Sequence, residues 1–190
     1  MEEIPFVTEN EGKVSTANLA LEDFDVELVQ REVEIKEIQS SSIEEITRDK
    51  VKSAYRELDK EVVVEDGGFF VEGLNGFPGH YVKFVLNTVG VEGLLKLADS
   101  TKCYFKDVVA YTEDGENINI FTNKEYGRLA DEPRPIENDR AWSDLWKIFI
   151  PEGSDKTLGQ FTDEEYEEYE KREISDSPFI EFGKWIERRR

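Results

Sequence analysis

Sulfur and histidine are nearly missing from this 190-residue chain, which has one cysteine (Cys103), one methionine and one histidine (His80). A single cysteine excludes a disulfide framework and any cysteine-based zinc site. A single histidine excludes the commonest zinc clusters and any relay between two imidazoles. The N-terminus MEEIPFVTENEGK is acidic and short, and no long apolar run follows it. We therefore expect a cytoplasmic protein with no signal peptide and no membrane partner.

Basic residues are also in short supply, since 24 Lys and Arg stand against 44 Asp and Glu and give a formal net charge of -20. A surface this negative repels nucleic-acid backbones, so we expect no nucleic-acid partner. An anionic substrate would need locally placed lysines and a divalent cation. The hydrophobic content of 38% is that of a globular protein, and the length predicts a single domain over residues 1-190 with an ample core.

The stretch 61–85, EVVVEDGGFFVEGLNGFPGHYVKFV, organises the rest of the chain. The apolar run Val62–Val64 predicts a buried strand that ends at two adjacent carboxylates, Glu65 and Asp66. The glycine pair that begins at Gly67 predicts a turn. Acids at the end of a buried strand beside a glycine turn are held rigidly and can approach a metal or a phosphate closely. A β-turn with solvated acids is the alternative.

A second candidate segment lies near the N-terminus. A strand from Ile4 to Thr8 is expected to run into a polar loop and then a helix, and ligands bind at the carboxyl ends of strands in such α/β arrangements. Thr8, Asn10 and Lys13 can then donate hydrogen bonds and charge to a phosphate. An ordinary capped helix start explains the same residues equally well.

A third candidate pair surrounds the next helix. Ser42 and Glu45 fit a capping box, which predicts a helix from Ile43 and gives Glu45 a structural explanation. Glu37 has none, because it lies in the turn before the helix, where a carboxylate can face a cleft. Lys50 lies near the apolar stripe of the helix and can reach that same cleft, or it is a surface lysine.

The remaining pattern predicts an α/β fold with a mixed sheet. Expected elements are a strand over Val26 to Ile35, a hairpin at Glu113-Asp114-Gly115, a strand over Leu145 to Ile150, a capping box of Thr162 and Glu165, and a last helix from Pro178.

Together these candidates form a set of residues suited to cleaving a phosphoanhydride. The set contains three carboxylates and three lysines: Glu37, Glu65, Asp66, Lys13, Lys50 and Lys83. Mg²⁺ prefers oxygen ligands and takes one or two carboxylates together with waters and substrate phosphates. A carboxylate beside it can orient or deprotonate the attacking water, and lysines offset the charge on the phosphates.

Four motifs then point to a family: TENEGK near the N-terminus, Glu37-Ile38-Gln39, the helix lysine Lys50, and VEDGGFFVEGLNGFPGHYVKF. With them the chain resembles the inosine triphosphate pyrophosphatase family, especially its archaeal-type members, in register from Ile4 to Ile150. The resemblance implies an elongated mixed β-sheet flanked by helices, with two lobes around a central cleft, and a homodimer. It also implies Mg²⁺-dependent cleavage of non-standard purine triphosphates to a monophosphate and pyrophosphate, which clears the nucleotide pool.

The resemblance assigns roles residue by residue. Glu37 corresponds to the metal carboxylate, and Asp66 to the general base and second metal ligand. The phosphate contacts correspond to Thr8, Asn10, Lys13, Lys50 and Lys83. We add Glu65 as a third metal candidate and Gly67 as a point where a phosphate can approach the backbone.

The C-terminal third departs from the family pattern. Ser143-Asp144-Leu145-Trp146 replaces the element that reads the base, and Trp146 stands where the family has an aspartate, unless a local shift lets Asp144 take that place. Lys171 is retained, but Ser175-Asp176-Ser177 lacks the family's histidine and arginine. Three hypotheses follow: a pyrophosphatase with altered or relaxed base preference, a different nucleotide specificity with Trp142 or Trp146 stacking the base, or a non-catalytic nucleotide-binding protein.

Overall fold

The computed structural model describes residues 2–98 and 102–189, and in them a seven-stranded mixed sheet is flanked by helices. The strands are β1 (Glu2–Val7), β2 (Val26–Arg31), β3 (Val62–Val71), β4 (Pro78–Gly79), β5 (Lys102–Thr112), β6 (Ile118–Leu129) and β7 (Phe149–Pro151). The helices are α1 (Glu11–Ala20), α2 (Ile43–Leu58), α3 (Val82–Thr88), α4 (Gly90–Leu97), α5 (Asp163–Ser175) and α6 (Pro178–Arg189). The predicted α/β class is confirmed.

The sheet has the strand order β2-β1-β3-β5-β6-β7, and β4 pairs with β3 outside this path. β1 is parallel to both β2 and β3, whereas β4 and β7 are antiparallel to their partners. The described residues divide into two compact units, 2–67 with 107–123 and 174–189, and 68–98 with 102–106 and 124–173. The single domain and the cleft expected from the family resemblance stay predictions.

The first unit buries apolar side chains on both faces of its strands. Val63 belongs to a cluster that α1 and α6 cover, whereas Val62 and Val64 belong to a cluster that α2 covers. Because successive side chains of a strand point to opposite faces, the run of three valines is buried on both sides of the sheet. Helices α1 and α2 therefore lie on opposite faces of β3.

The helix predicted from Ile43 is confirmed, with a modified cap. The Ser42 hydroxyl accepts a hydrogen bond from the Glu45 amide at 3.3 Å. The Glu45 carboxylate accepts from the Ser40 hydroxyl at 2.6 Å instead of from the Ser42 amide. Glu45 is therefore occupied at the helix start, as expected.

The prediction of a turn at Gly67 is wrong, because β3 runs without interruption from Val62 to Val71. The glycines have another use. A Cβ atom on Gly68 would lie 3.0 Å from the backbone carbon of Gly79, so this position lets β4 approach β3 closely. The two carboxylates consequently lie within a strand and not at its end.

Two other strand predictions are also wrong in extent. β2 ends at Arg31 and not at Ile35, because its partner β1 ends at Val7 and offers no further backbone groups. The segment Asp144–Lys147 forms a 3₁₀ helix whose first turn is capped by the Ser143 hydroxyl, and only Phe149–Pro151 pairs with β6. Apolar residues there reflect burial and not a strand.

The other sequence signals are confirmed. Gly115 has a φ of +75°, and the Asp114 carboxylate accepts from the amides of Glu116 and Asn117 in the hairpin turn. Thr162 and Glu165 form a reciprocal capping box before α5, at 3.2 and 2.9 Å.

The core of the first unit generates a stability prediction. Phe182 of α6 is fully buried, with its ring 5.6 Å from the ring of Tyr111 and 5.7 Å from that of Phe121. Phe182→Ala should lower the free energy of unfolding by about 3–5 kcal/mol, measured by urea denaturation. Leu19→Ala, at an exposed position of α1, should change it by no more than about 0.5 kcal/mol. Equal losses in both variants would contradict this view of the core.

Candidate functional site

The two neighbouring carboxylates of β3 point to opposite faces of the sheet. Glu65 follows Val63 on the face of α1, and Asp66 follows Val64 on the face of α2. Each carboxylate meets a lysine from the helix on its own face. The Lys13 ammonium lies 3.6 Å from Glu65 Oε1, and the Lys50 ammonium lies 2.8 Å from Asp66 Oδ1.

Lys50 is the centre of a three-residue cluster. Its ammonium donates to Asp66 Oδ1 and to Glu37 Oε1, which lies at 3.1 Å, and approaches the backbone carbonyl of Glu65 at 3.5 Å. Two carboxylates thus share one nitrogen atom. Without a cation between them their like charges would repel, so this ammonium keeps them together.

Burial makes this cluster electrostatically strained. The side chains of Lys50 and Asp66 are 17% and 18% exposed, whereas that of Glu37 is 53% exposed. Burial raises the pKa of the Asp66 carboxyl, although Lys50 opposes the shift. Burial alone would lower the pKa of Lys50, but the charges of Asp66 and Glu37 outweigh it and raise the pKa.

One oxygen of the cluster has no hydrogen-bond partner among residues 2–98 and 102–189. Asp66 Oδ2 is buried and unsatisfied, while Oδ1 is bound to Lys50. A buried acceptor without a donor is costly, and such atoms occur where a ligand, an ion or water completes the site. The unused oxygen makes Asp66 the candidate in this cluster for binding an ion or a water.

The donor chemistry here fits Mg²⁺. Among residues 2–98 and 102–189 no group of three or more His, Cys, Asp or Glu side chains forms a ready-made metal site. Mg²⁺ does not require one, since it takes one or two carboxylates and completes its shell with water and phosphate oxygens. Glu37, half exposed, and Asp66, with its unpaired oxygen, are the pair that can hold it.

The N-terminal loop shapes the start of α1. Asn10 Oδ1 caps the helix by accepting from the amides of Gly12 at 2.9 Å and Lys13 at 3.4 Å. The Thr8 hydroxyl accepts from the Asn10 amide at 3.1 Å. Both polar oxygens therefore already have structural partners, so the capped helix start is real. Their roles as phosphate contacts stay predictions.

Gln30 is a supporting residue that the sequence does not single out. Its side-chain amide donates to the Thr8 carbonyl at 3.1 Å across the parallel pair of β1 and β2. This contact fixes the loop that carries Asn10. Only the register of the strand pair creates it, so no signal in the sequence could have found it.

The predicted residues are divided between the two units. The first unit contains eight of them: Thr8, Asn10, Lys13, Glu37, Lys50, Glu65, Asp66 and Gly67. The second unit contains Lys83, exposed on α3, Lys171, exposed on α5, and Trp146. In the first unit Lys50 pairs with Glu37 and Asp66, and Lys13 pairs with Glu65, while the functional roles of all eleven residues stay predictions.

The two tryptophans considered for base stacking differ sharply. Trp146 is only 1% exposed and packs against Tyr166 at a ring distance of 5.2 Å, and its indole nitrogen has no hydrogen-bond partner in the described part of the chain. Trp142 is 70% exposed, and its ring lies 6.1 Å from the ring of Phe105. The role of Trp146 in stacking the base stays a prediction, because its ring is buried. The ring of Trp142 is exposed and therefore accessible to a ligand.

A mixed β-sheet flanked by helices is the fold that the sequence resemblance implies. The Ham1 family model matches residues 4–182, and this chain belongs to the Ham1 family. The recognition made from the motifs is thereby confirmed.

Curated relatives and solved structures agree with this assignment. The chain is 38% identical over 186 residues to a dITP/XTP pyrophosphatase of Thermococcus kodakarensis, covering 96% of both chains. It is 39% identical over 163 residues to one of Methanopyrus kandleri, covering 84% of this chain and 85% of the other. The structure of a HAM1 protein from Coxiella burnetii has the same fold, with a TM-score of 0.79 at 18% identity over 99% of this chain and 100% of the other.

None of the helices in residues 2–98 and 102–189 is both long enough and apolar enough to cross a membrane.

The shared ammonium leads to a prediction about stability. Lys50→Met leaves Asp66 and Glu37 without their cation, and at pH 7 in EDTA the free energy of unfolding should fall by about 1–3 kcal/mol. The pKa of Asp66 is raised in the folded protein, so its ionised form is disfavoured there, and acidification through that pKa relieves the repulsion. The loss should therefore shrink at pH 4, as measured by urea denaturation at both pH values.

Lys52→Met is the matched control for that variant. Lys52 lies on the same helix and makes no ion pair among the described residues, so its loss should be small at either pH. A similar loss in both variants, independent of pH, would show that Lys50 contributes through helix packing and not through its charge.

Proposed function

We propose that this protein is a magnesium-dependent hydrolase that cleaves non-standard purine nucleoside triphosphates, such as ITP, XTP and dITP, to the monophosphate and pyrophosphate. The observation that carries the proposal is the pair of carboxylates, Glu37 and Asp66, gathered on the Lys50 ammonium. The names of the curated relatives support the substrate class, since two chains of nearly the same length are called dITP/XTP pyrophosphatases. The proposed biological role is the removal of these nucleotides from the pool.

Bound Mg²⁺ would supply positive charge to the phosphate oxygens and increase the acidity of a coordinated water. Glu37 and Asp66 would hold it, because their oxygens already lie around one positive charge. The net charge of -20 makes such local compensation necessary for any triphosphate that approaches this chain.

Asp66 is proposed as the general base. Its unpaired Oδ2 can accept a hydrogen bond from the attacking water, and burial in a rigid strand fixes the direction of that oxygen. The raised pKa of Asp66 makes the carboxylate a better proton acceptor than an exposed aspartate. The water oxygen forms a bond to the α-phosphorus. The bond from that phosphorus to the oxygen bridging the β-phosphate breaks, so pyrophosphate leaves, and a proton of the water passes to Asp66.

The lysines are proposed to bind the triphosphate. Lys50 already donates to Asp66, and its ammonium can also donate to a phosphate oxygen while it limits repulsion between that phosphate and the carboxylates. Lys13 stands on the other face of β3 with its ammonium near Glu65. Thr8, Asn10, Gly67, Lys83 and Lys171 complete the proposed set of phosphate contacts.

Base preference is proposed to be altered relative to the family pattern. Trp146 replaces an aspartate, and its ring is buried against Tyr166, so the base would be read by other side chains. The exposed ring of Trp142 supports it as the stacking residue. This observation favours a second specificity on the same scaffold, including modified pyrimidine triphosphates.

The activity is tested by pyrophosphate release in the presence of Mg²⁺. ITP, XTP and dITP should be cleaved at least about tenfold more efficiently than ATP or GTP, in kcat/KM, because ATP has a 6-amino group in place of their 6-oxo group and GTP carries a 2-amino group that all three lack. Asp66→Asn should lower kcat by at least about 100-fold, since the general base is lost. The assay also includes modified pyrimidine triphosphates and the other standard nucleoside triphosphates.

The control for folding is the melting temperature of Asp66→Asn, which should not fall, because an amide replaces a buried charge whose ionisation is disfavoured. Selective cleavage of a modified pyrimidine triphosphate would favour the second specificity. A folded wild-type protein that cleaves none of the nucleotides would overturn the proposal in favour of a binding protein, and full turnover by Asp66→Asn would remove Asp66 from the mechanism.

We also propose that the chain forms a homodimer in the cytoplasm. The stretch 73–91 contains no acidic residue, although the chain has 44 of them, and it presents large exposed side chains: Phe77, Tyr81, Phe84 and Val89. Two copies with a charge of -20 repel each other least where neither carries acids, and exposed apolar patches are typical of interfaces. The buried free thiol of Cys103 fits a reducing compartment.

The dimer is tested by a single charge. Phe84, 67% exposed on α3, is changed to glutamate, and the molar mass in solution should fall from that of two chains to that of one, measured by light scattering. Leu19→Glu introduces the same charge on exposed α1 and should leave the dimer intact. A wild-type mass of one chain would reject the dimer, and an unchanged dimer in Phe84→Glu would reject this face.

A further inference from the structure

Glu65 is the carboxylate of the site that the proposed chemistry leaves without a task. Its side chain is only 12% exposed, and it lies one residue before Asp66 in an uninterrupted strand. The alternation of side chains directs it to the face of α1, away from the face on which Asp66, Glu37 and Lys50 meet. A residue so placed is badly oriented to bind the same ion as Asp66, and it has a different neighbour.

That neighbour is Lys13, at a distance that indicates attraction without a hydrogen bond. Lys13 Nζ lies 3.6 Å from Glu65 Oε1, close enough for an ion pair and too far for a normal N–H···O bond. Within residues 2–98 and 102–189 the Lys13 ammonium makes no hydrogen bond. All three of its N–H donors are therefore free for a ligand while the charge is held in place.

The backbone of Lys13 is fixed, but its side chain needs a second anchor. The amide of Lys13 is held by Asn10 in the first turn of α1. The ammonium, however, sits on a flexible four-carbon chain that is 33% exposed and would otherwise sample many rotamers. The mostly buried Glu65 supplies a rigid negative charge that restricts this freedom.

We propose that Glu65 is a positioning residue that acts through Lys13 and does not bind the metal. It holds the Lys13 ammonium on the α1 face of β3 with its donors free for a phosphate oxygen of the nucleotide. Adjacent residues of one strand thus serve two sides of the substrate, Asp66 the metal and the water, and Glu65 a phosphate-binding lysine. The inference rests on the proposed function and deepens it.

A double-mutant cycle separates this role from metal binding. The variants are Glu65→Gln, Lys13→Ala and the combination, assayed for KM of ITP and for the Mg²⁺ concentration at half-maximal rate. Glu65→Gln alone should raise KM about fivefold with kcat within about twofold, whereas in the Lys13→Ala background the same change should alter KM by less than about twofold. The Mg²⁺ requirement should not move in either background, while Glu37→Gln should raise it.

Two controls accompany the cycle. Glu27→Gln removes one carboxylate from an exposed position of β2 and should leave KM unchanged, which excludes an effect of net charge. Glu65→Asp keeps the charge and should restore part of the lost affinity. Melting temperatures of all variants identify any that fail to fold, and these are replaced by Glu65→Ala and Lys13→Met.

A crystal structure of Glu65→Gln without nucleotide gives a readout that does not depend on activity. The Lys13 side chain should leave its site or occupy several conformers, whereas it should be ordered beside Glu65 in the wild-type crystal. A raised Mg²⁺ requirement, a lowered KM, equal effects in both backgrounds, or an unmoved Lys13 would each overturn the inference. A wild-type protein without activity would instead reject the proposed function, and the crystal structures would still decide the role of Glu65.

Discussion

The architecture of the site depends on the two-residue period of one long strand. β3 runs through ten residues without a turn, so its side chains alternate between two faces, and helices cover both faces at Val62–Val64. Adjacent carboxylates are thereby separated: Asp66 meets Lys50 of α2, and Glu65 meets Lys13 of α1. A slip of one residue in this strand would exchange their partners and bury the wrong charges.

Charge compensation is the second constraint, and it is local. The chain as a whole is strongly acidic, yet its most buried acids at the site each face a lysine. The Lys50 ammonium stands between Glu37 and Asp66 where a divalent cation with its phosphate ligands would also be electrostatically favourable. One oxygen of Asp66 stays unpaired, and the surrounding packing must offset this cost. Function and stability thus pull in opposite directions at this strand.

The two units carry different amounts of the family pattern. The first unit contains the three carboxylates with Lys13 and Lys50, whereas the second contains Lys83 and the rewritten segment around Trp146. The apolar substitutions there are absorbed into the core, since Trp146 and Leu145 are each about 1% exposed. The chain therefore keeps the fold of its family although its base specificity can differ, because a few side chains can change a binding pocket without altering the sheet.

The sequence by itself determined the class of fold and most helix starts, and it named the candidate site residues. These features depend on local interactions, such as the helix caps at Ser42 and Thr162, or on motifs that can be identified in the sequence without a structure. The sequence did not determine that β3 continues through its glycines. A glycine that forms a turn and a glycine that lets a neighbouring strand approach closely cannot be distinguished from the residue type alone. Only the tertiary structure decided which lysine faces which carboxylate and that Trp146 is buried, since both follow from helices packed on opposite faces of the sheet and from contacts between segments far apart in the chain.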